Sequence, residues 1–440
     1  STIRVLMLPW LALGHVNPFL RLAKKLSKRN FHIYLCSTPI NLNSIKKRIP
    51  EKYSLSIELV ELHLPSLPEL PPHYHTTNGL PPHLNGTLKK AFDMAAPSFS
   101  NILKTLKPDL VIYDFLQPWA PKIALSQNIP AVQFLTSGAA LFSYFLHFLK
   151  NPGVEFPFPA IRLSDREIDK MRNMFGTEPT DKDFLLKRSC NIILICTFRE
   201  LEGKYIDYLS VLAEKKIVPV GPPFQEPLDE DDDNTELIKW LDKKDESSTV
   251  YVSFGSEYFL SKEEIEEIAH GLELSKVNFI WVARFPVGEK INVEEALPEG
   301  FLERVGERGM VLDHLVPQAH ILGHSSIGGF VSHCGWNSVM ESMKFGVPII
   351  AMPMQWDQPI NARLVEEVGV GVEVKRDENG RLQREEIAQV IRKVVVEKSG
   401  EEVRKKAREL SEKMRKKGEE EIDGVVEELV QLCDNRNAYK

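Results

Sequence analysis

Cysteine is scarce in this sequence and poorly placed for cross-linking. The five present (Cys36, Cys190, Cys196, Cys334 and Cys433) are odd in number, scattered and free of Cys-x-x-Cys spacing, which argues against a disulfide framework or a zinc knuckle and fits a reducing compartment. A long apolar run is missing as well. The nearest approach, the uncharged stretch 123–149, is broken by Gln127, Asn128, Pro130, Gln133, Thr136, Ser137 and His147, whereas a membrane span wants roughly 20 mostly apolar residues. A buried strand and helix are expected there, and no stable membrane insertion. Positive charge is not in excess: 55 Lys and Arg face 62 Asp and Glu, a formal net charge of -7, so no global basic field gathers nucleic acid or anionic lipid. A phosphate-bearing ligand has to be held by local geometry. The first residues show no basic stretch followed by an apolar one, so a cytoplasmic protein is expected. A Walker A pattern is absent, as is a Gly-x-Gly-x-x-Gly after the first strand-like run, and the pair Gly369-x-Gly371 is too short to revive either reading.

Alternation of strand-like and helix-like segments dominates what is present. Ile3–Leu8, an amphipathic stretch 18–28 with Pro18 in its first turn, and Phe31–Ser37 open the chain as a βαβ unit. Further strands are expected at 110–113, 131–135 and 192–196, making the first half an open parallel sheet, while 64–82, dense in Pro and His, reads as an irregular, mobile loop. The segment 221–227 leads into the acidic run Asp229–Asp233, the strongest linker signal in the chain. Its Asp-x-Asp spacings lack the apolar support that would fix carboxylates around a cation, so it reads as a solvated linker and no metal is expected. Beyond it the alternation restarts, with strands at 249–254, 279–282, 309–312, 328–333 and 348–351 and a helix at 262–273. The tail 400–432 has Glu, Lys and Arg at helical spacing.

The most informative stretch is 315–358, LVPQAHILGHSSIGGFVSHCGWNSVMESMKFGVPIIAMPMQWDQ. A strand ending at His333 turns through Cys334 and Gly335 into a helix starting near Trp336 or Asn337, and such a helix start offers free N–H groups and the positive dipole end to an anion. His333, Asn337 and Ser338 add side-chain donors for a phosphate. Glu341, on the same helical face, can accept from both hydroxyls of a ribose. Ser338-x-x-Glu341 equally fits a capping box serving only the helix end, and the residues alone do not choose. As a whole, the string resembles the signature box of plant family-1 UDP-dependent glycosyltransferases, with PQ, HCGWNS, the Glu three residues later, GVP and the closing DQ at that family's spacing. The resemblance implies that Gln318 meets the ribose, that Trp336 lies near the sugar, that Asp357 and Gln358 bond the sugar hydroxyls, and that Leu315 and Val316 lie on the donor side. In the family the first residue of the box is normally a Trp stacked on uracil. Leu315 packs without stacking, a difference of ~1 to 3 kcal/mol, so weaker donor binding is expected. Ser256, in the strand-ending turn Ser253-Phe254-Gly255-Ser256, matches the family's phosphate-side loop; on its own it also fits an ordinary turn.

The first half offers a candidate catalytic pair, His15 and Asp114, which on their own also fit satisfied surface or turn groups and which the family resemblance favours as catalytic. Pro9–Pro18 joins the first strand to the first helix and puts His15 at the carboxyl edge of the sheet, and Asp114 closes the strand 110–113 at the same edge. A sugar hydroxyl is a poor nucleophile near neutral pH; a neutral imidazole can take its proton, and an aspartate behind the ring fixes the tautomer. The family's catalytic His and Asp lie in matching local patterns. The acceptor is expected near Leu13, Phe115, Thr136, Phe142 and Trp356; the aromatic run Phe142, Tyr144, Phe145 and Phe148 fits either an acceptor wall or core. Leu13 stands where the sugar-elongating branch of the family commonly has His.

The resemblance covers essentially the whole chain and implies an α/β protein of the GT-B kind, two Rossmann-like domains facing across a cleft. Residues 1–222 are expected to bind the acceptor, 223–235 to be the linker, 236–420 to bind the UDP-sugar, and 421–440 to pack back on the first domain as a monomer. The reaction implied is an inverting, metal-independent transfer of glucose from UDP-glucose to a sugar hydroxyl of a plant glycoside, with no cofactor. Transfer to an aglycone hydroxyl and, more remotely, UDP-sugar epimerisation are the alternatives.

Overall fold

The structure is a computed structural model that describes residues 2–175, 190–222, 235–286, 288–417 and 419–438. The expected linker core, including Asp229–Asp233, lies outside the described residues. Contacts divide the chain into two units, one drawn from 1–156, 178–228 and 419–440 and the other from 157–177 and 229–418.

The first unit is built on a seven-stranded sheet of β1 (Ile3–Leu8), β2 (Phe31–Ser37), β3 (Ile57–Glu61), β4 (Leu110–Tyr113), β5 (Ala131–Leu135), β6 (Ile192–Ile195) and β7 (Lys216–Pro219). The spatial order is β3-β2-β1-β4-β5-β6-β7 and every pairing is parallel. β4, β5 and β6 are buried along their length and β1 from Val5 onward, as continuous apolar runs require when helices cover both faces. The second unit carries β8 (Thr249–Ser253), β9 (Asn278–Val282), β10 (Gly309–Leu312), β11 (Ile327–Ser332), β12 (Ile349–Ala351) and β13 (Gly371–Glu373) in the parallel order β10-β9-β8-β11-β12-β13. The uncharged stretch 123–149 becomes the end of one helix, β5 and most of the helix Ala139–Lys150. Among the described residues no helix is long and apolar enough to cross a membrane.

Two segments are fastened to a unit other than the one adjoining them in sequence. In the helix Asp165–Phe175, Glu167 accepts from Arg363 at 2.7 and 2.8 Å and Lys170 donates to the Met354 carbonyl at 2.9 Å, tying it to the second unit. The helix Glu420–Ala438 buries Ile422, Val425 and Leu429 in the first unit, where Arg29 binds Glu419 and Asp423, each at 2.9 Å. Lys25 donates to the carbonyls of Val220 and Pro222 at 3.2 and 3.0 Å, and its burial pulls the ammonium pKa down to about 8. Carbonyl oxygens replace the water this charge loses, and the carboxylates of Glu419 and Glu421 favour it.

Local features depart from expectation in two places. The first helix runs Leu13–Ser27, so Pro18 sits inside it rather than in its first turn. Its N-cap is Ala12, which offers no side-chain acceptor, so no polar signal marks the start. The loop 64–82, expected to be mobile, is anchored. Leu64, Leu70 and Leu80 are buried, Thr77 donates its N–H to the Leu11 carbonyl at 2.9 Å, and the Thr76 hydroxyl donates to Asn41 at 2.7 Å.

Candidate active site

In the first unit the chemistry gathers where β1 and β4 end side by side. The β1–β4 register pairs Leu8 with Tyr113, which brings the residues after both strands together. Asp114 is fully buried, its Oδ2 accepting from the Trp10 N–H at 3.0 Å and its Oδ1 from the Phe115 N–H at 2.8 Å. These two backbone donors hold the carboxylate rigid and compensate for its lost water. Oδ2 lies 2.7 Å from His15 Nδ1, and the His15 side chain is 22% exposed. Because the carboxylate only accepts, the His15 proton belongs on Nδ1 and the lone pair on Nε2. His15 is in the first turn of its helix, not in the preceding loop, so helical backbone rather than a loop sets its direction.

Around this pair stand three of the residues expected at the acceptor. Phe115 lies 6.0 Å from the His15 ring, centroid to centroid, and Phe142 packs edge-on against Phe115 at 5.6 Å. Thr136 is buried with its hydroxyl 3.0 Å from His15 Nδ1, where it shares that N–H with Asp114. Leu13, partly exposed, opens the helix that carries His15. Tyr144 and Phe148 belong elsewhere, in a cluster in which Tyr144 packs on Phe148 and Phe156 and His147 packs on Phe148, Phe156 and Tyr208. The helix bearing Phe142 starts at Ala139, where both oxygens of the fully buried Glu202 accept, from the N–H groups of Ala139 and Ala140 at 2.8 and 2.9 Å. A carboxylate at a helix start meets both the orphan donors and the dipole.

The second unit holds the other constellation, at the carboxyl ends of β8, β11 and β12. β11 ends at Ser332, and the helix Trp336–Phe345 begins after Gly335 as N-cap. Ser338 is therefore the third residue inside the helix and not its cap, which removes the capping-box reading of Ser338 and Glu341. Instead Gln318, first residue of the helix Gln318–Leu322, donates to Ser338 Oγ at 3.3 Å and to Glu341 Oε2 at 3.1 Å. Trp336 is buried, Asn337 partly exposed. His333 faces a glycine on either side, for a Cβ built on Gly255 or on Gly335 would come within 2.6 Å of Nε2. Its Nδ1 is buried without a hydrogen-bond partner among the described residues, and burial pulls its pKa down to about 4. Burial thus favours the neutral imidazole of His333, which can offer an N–H but not a cation. Ser256 follows Gly255, whose φ of +76° turns the chain out of β8. Leu315 is 61% exposed, and Val316 half-buried.

The turn after β12 carries the closing pair. Gln358 Oε1 accepts from the N–H groups of Met354 and Gln355 at 3.0 and 2.9 Å, so the amide carbonyl is engaged with the turn and its NH2 edge is the one left to a ligand. Asp357 is the N-cap of the helix Gln358–Val368, and Asn361 bridges its Oδ2 to the Cys334 carbonyl at 3.0 and 2.9 Å. Donor and acceptor side by side suit a vicinal diol. Trp356 lies in this turn, in the second unit. Trp356 and Cys334 have φ of +57° and +66°, each just ahead of a helix start. Left-handed backbone at residues other than glycine is strain of a kind that concentrates at functional sites. Asn361 and Tyr251 have no expectation in the sequence: an asparagine four residues into a helical pattern and a tyrosine in an apolar strand both look structural.

Among the described residues no group of three or more His, Cys, Asp or Glu is placed to hold a metal ion.

Comparison with known proteins adds the following. Residues 1–225 match the family model "Glycosyltransferase, N-terminal domain", and residues 227–417 match "UDP-glucoronosyl and UDP-glucosyl transferase". The chain is 60% identical to UDP-glucosyltransferase 29 of Panax ginseng, covering 99% of this chain and 98% of that protein. It is 57% identical to the beta-D-glucosyl crocetin beta-1,6-glucosyltransferase of Gardenia jasminoides, covering 97% and 98%. Among solved structures it is similar to Glycyrrhiza uralensis UGT73P12 complexed with glycyrrhetinic acid 3-O-monoglucuronide, with a TM-score of 0.84, 25% identity and 100% and 97% coverage.

Proposed function

The chain belongs to the plant UDP-dependent glycosyltransferases, whose fold is GT-B, and we propose that it transfers glucose from UDP-glucose to a sugar hydroxyl of an already glycosylated small molecule. A relative with 57% identity is named for adding glucose to a glucosyl crocetin, which supports a glycoside as acceptor. The observation that carries the mechanism is the 2.7 Å contact between His15 Nδ1 and the buried Asp114 carboxylate.

With Nδ1–H directed to Asp114, Nε2 is the nitrogen that takes the proton of the acceptor hydroxyl. As the oxygen attacks the anomeric carbon of the donor, Asp114 stabilises the imidazolium that forms. UDP leaves from the opposite face, so the configuration at that carbon inverts. The departing phosphate charge is met by the N-terminus of the helix Trp336–Phe345, by the neutral His333 and by Asn337, Ser338 and Ser256. Gln318 and Glu341 meet the ribose, Leu315 and Val316 flank the base, and Trp336, Asp357 and Gln358 address the sugar. Leu13, Phe115, Thr136, Phe142 and Trp356 are assigned to acceptor binding.

A panel of triterpenoid and flavonoid monoglucosides and their aglycones, incubated with UDP-glucose and read by mass spectrometry, tests the reading. Addition of one hexose to the glucosides, faster than to the aglycones, is expected. Preferential glucosylation of the aglycones would replace the acceptor assignment, and conversion of the UDP-sugar without any acceptor would point to epimerisation.

A further inference from the structure

The tyrosine in the middle of β8 has no part in the roles assigned above. Tyr251 is 1% exposed and its ring stacks on Phe330 of the neighbouring β11, with centroids 5.0 Å and planes 25° apart. That packing needs only a phenylalanine. The hydroxyl, however, lies 3.3 Å from Gln318 Oε1, while the other edge of the same amide faces Glu341 Oε2 at 3.1 Å and Ser338 Oγ at 3.3 Å. The two ends of this chain decide which way round the amide sits. A carboxylate only accepts, so the NH2 edge faces Glu341; the carbonyl then turns to Tyr251, whose O–H donates. Burial, opposed by a hydrogen bond with the Ser253 side chain and reinforced by the Glu341 charge, holds the phenol well above its usual pKa and keeps that proton in place. Glu341 and Ser338 hold the NH2 edge, and the phenol holds the carbonyl end; without it the amide is tethered at one edge only and is free to tilt away from the orientation in which it faces a ligand.

We propose that Tyr251 is a positioning residue for nucleotide recognition, fixing the Gln318 amide and with it the pattern of donors and acceptors that Gln318 and Glu341 present to the ribose diol of a UDP-sugar. The proposal rests on the reading of Gln318 and Glu341 as ribose-binding residues. Tyr251 itself touches no ligand, so its loss should change discrimination at the ribose and leave the rest of the nucleotide as well bound as before.

Calorimetric titration of UDP and of 2′,3′-dideoxy-UDP into the wild type, Tyr251→Phe, Gln318→Met and the double variant separates the possibilities. An oriented hydrogen bond is worth about 2- to 10-fold in affinity, so the wild type should prefer UDP by roughly 10-fold or more. Tyr251→Phe, which keeps the ring on Phe330, should lose about 2- to 10-fold of that preference while binding the dideoxy analogue as the wild type does. Gln318→Met should lose it too, with Tyr251→Phe adding nothing further. If the wild type shows no preference, the ribose reading itself fails. If the wild type prefers UDP and Tyr251→Phe keeps the whole preference, or weakens both ligands equally, the positioning role of Tyr251 is overturned.

Discussion

Leu315 offers the sharpest quantitative forecast. It is 61% exposed, so replacing it disturbs the fold little. Burying a whole leucine side chain yields ~1.5 to 3 kcal/mol, and with somewhat over half of the residue open, a base laid on it gains about 1 to 2 kcal/mol. An aromatic ring at that place adds stacking, and the difference in favour of Trp is ~1 to 3 kcal/mol. Leu315→Trp is therefore expected to lower the Kd for UDP by about 5- to 150-fold and to lower KM for the UDP-sugar, while Leu315→Ala raises Kd by about 5- to 30-fold. Calorimetry with UDP measures both, and ribose 5-phosphate, which has no base, serves as the control whose affinity should not move. An unchanged or higher Kd and KM in Leu315→Trp would refute the assignment of Leu315 to the base.

Other consequences follow from buried groups. Gly255→Ala would place a Cβ 2.6 Å from His333 Nε2 on a backbone with φ +76°, so KM for the UDP-sugar should rise roughly 10-fold while KM for the acceptor stays put; equal changes in both would contradict this. Burial pushes the Glu373 carboxyl up to about 7 against the pull of Arg363. Since the folded pKa exceeds the unfolded value of 4.5, this group's contribution is fully present below pH 4.5 and is lost as pH rises through about 7, a change of about 3 kcal/mol. Glu373→Gln should accordingly lose less stability than the wild type between about pH 5 and 8 in urea titrations, and parallel losses would refute the shift. Glu202→Gln weakens two charge-assisted bonds at the start of the helix Ala139–Lys150 and should cost about 2 kcal/mol of unfolding free energy; an unaltered Tm would sink that account.

What could be read in the sequence, and what could not, follows from burial. β1, β4, β5, β8 and β11 are interior strands, covered on both faces, and their apolar runs announce them. β3, β7 and β13 are sheet edges with only part of their residues buried, and IELVE, KIVP and GVE carry too few buried positions to show a period. The helix start at Leu13 is silent because Ala12 caps nothing, so His15 reads as a loop residue. The attachment of the helix Asp165–Phe175 to the second unit depends on Arg363, nearly two hundred residues away, and no local pattern reports it. Side chains ending at a strand terminus, such as Asp114 and His333, were legible as candidates; the glycine walls around His333 and the Tyr251–Gln318 bond arise only from tertiary packing.

The claim on which everything else depends is that His15 takes the proton from the acceptor hydroxyl. It is tested most directly by comparing wild type and His15→Ala in two measurements on one preparation, glucosyl transfer from UDP-glucose to a monoglucoside and calorimetric binding of UDP. Removal of a general base should lower kcat by ~100-fold or more while the Kd for UDP stays within about 2-fold. Transfer at the wild-type rate by His15→Ala, with UDP bound as before, would contradict the account.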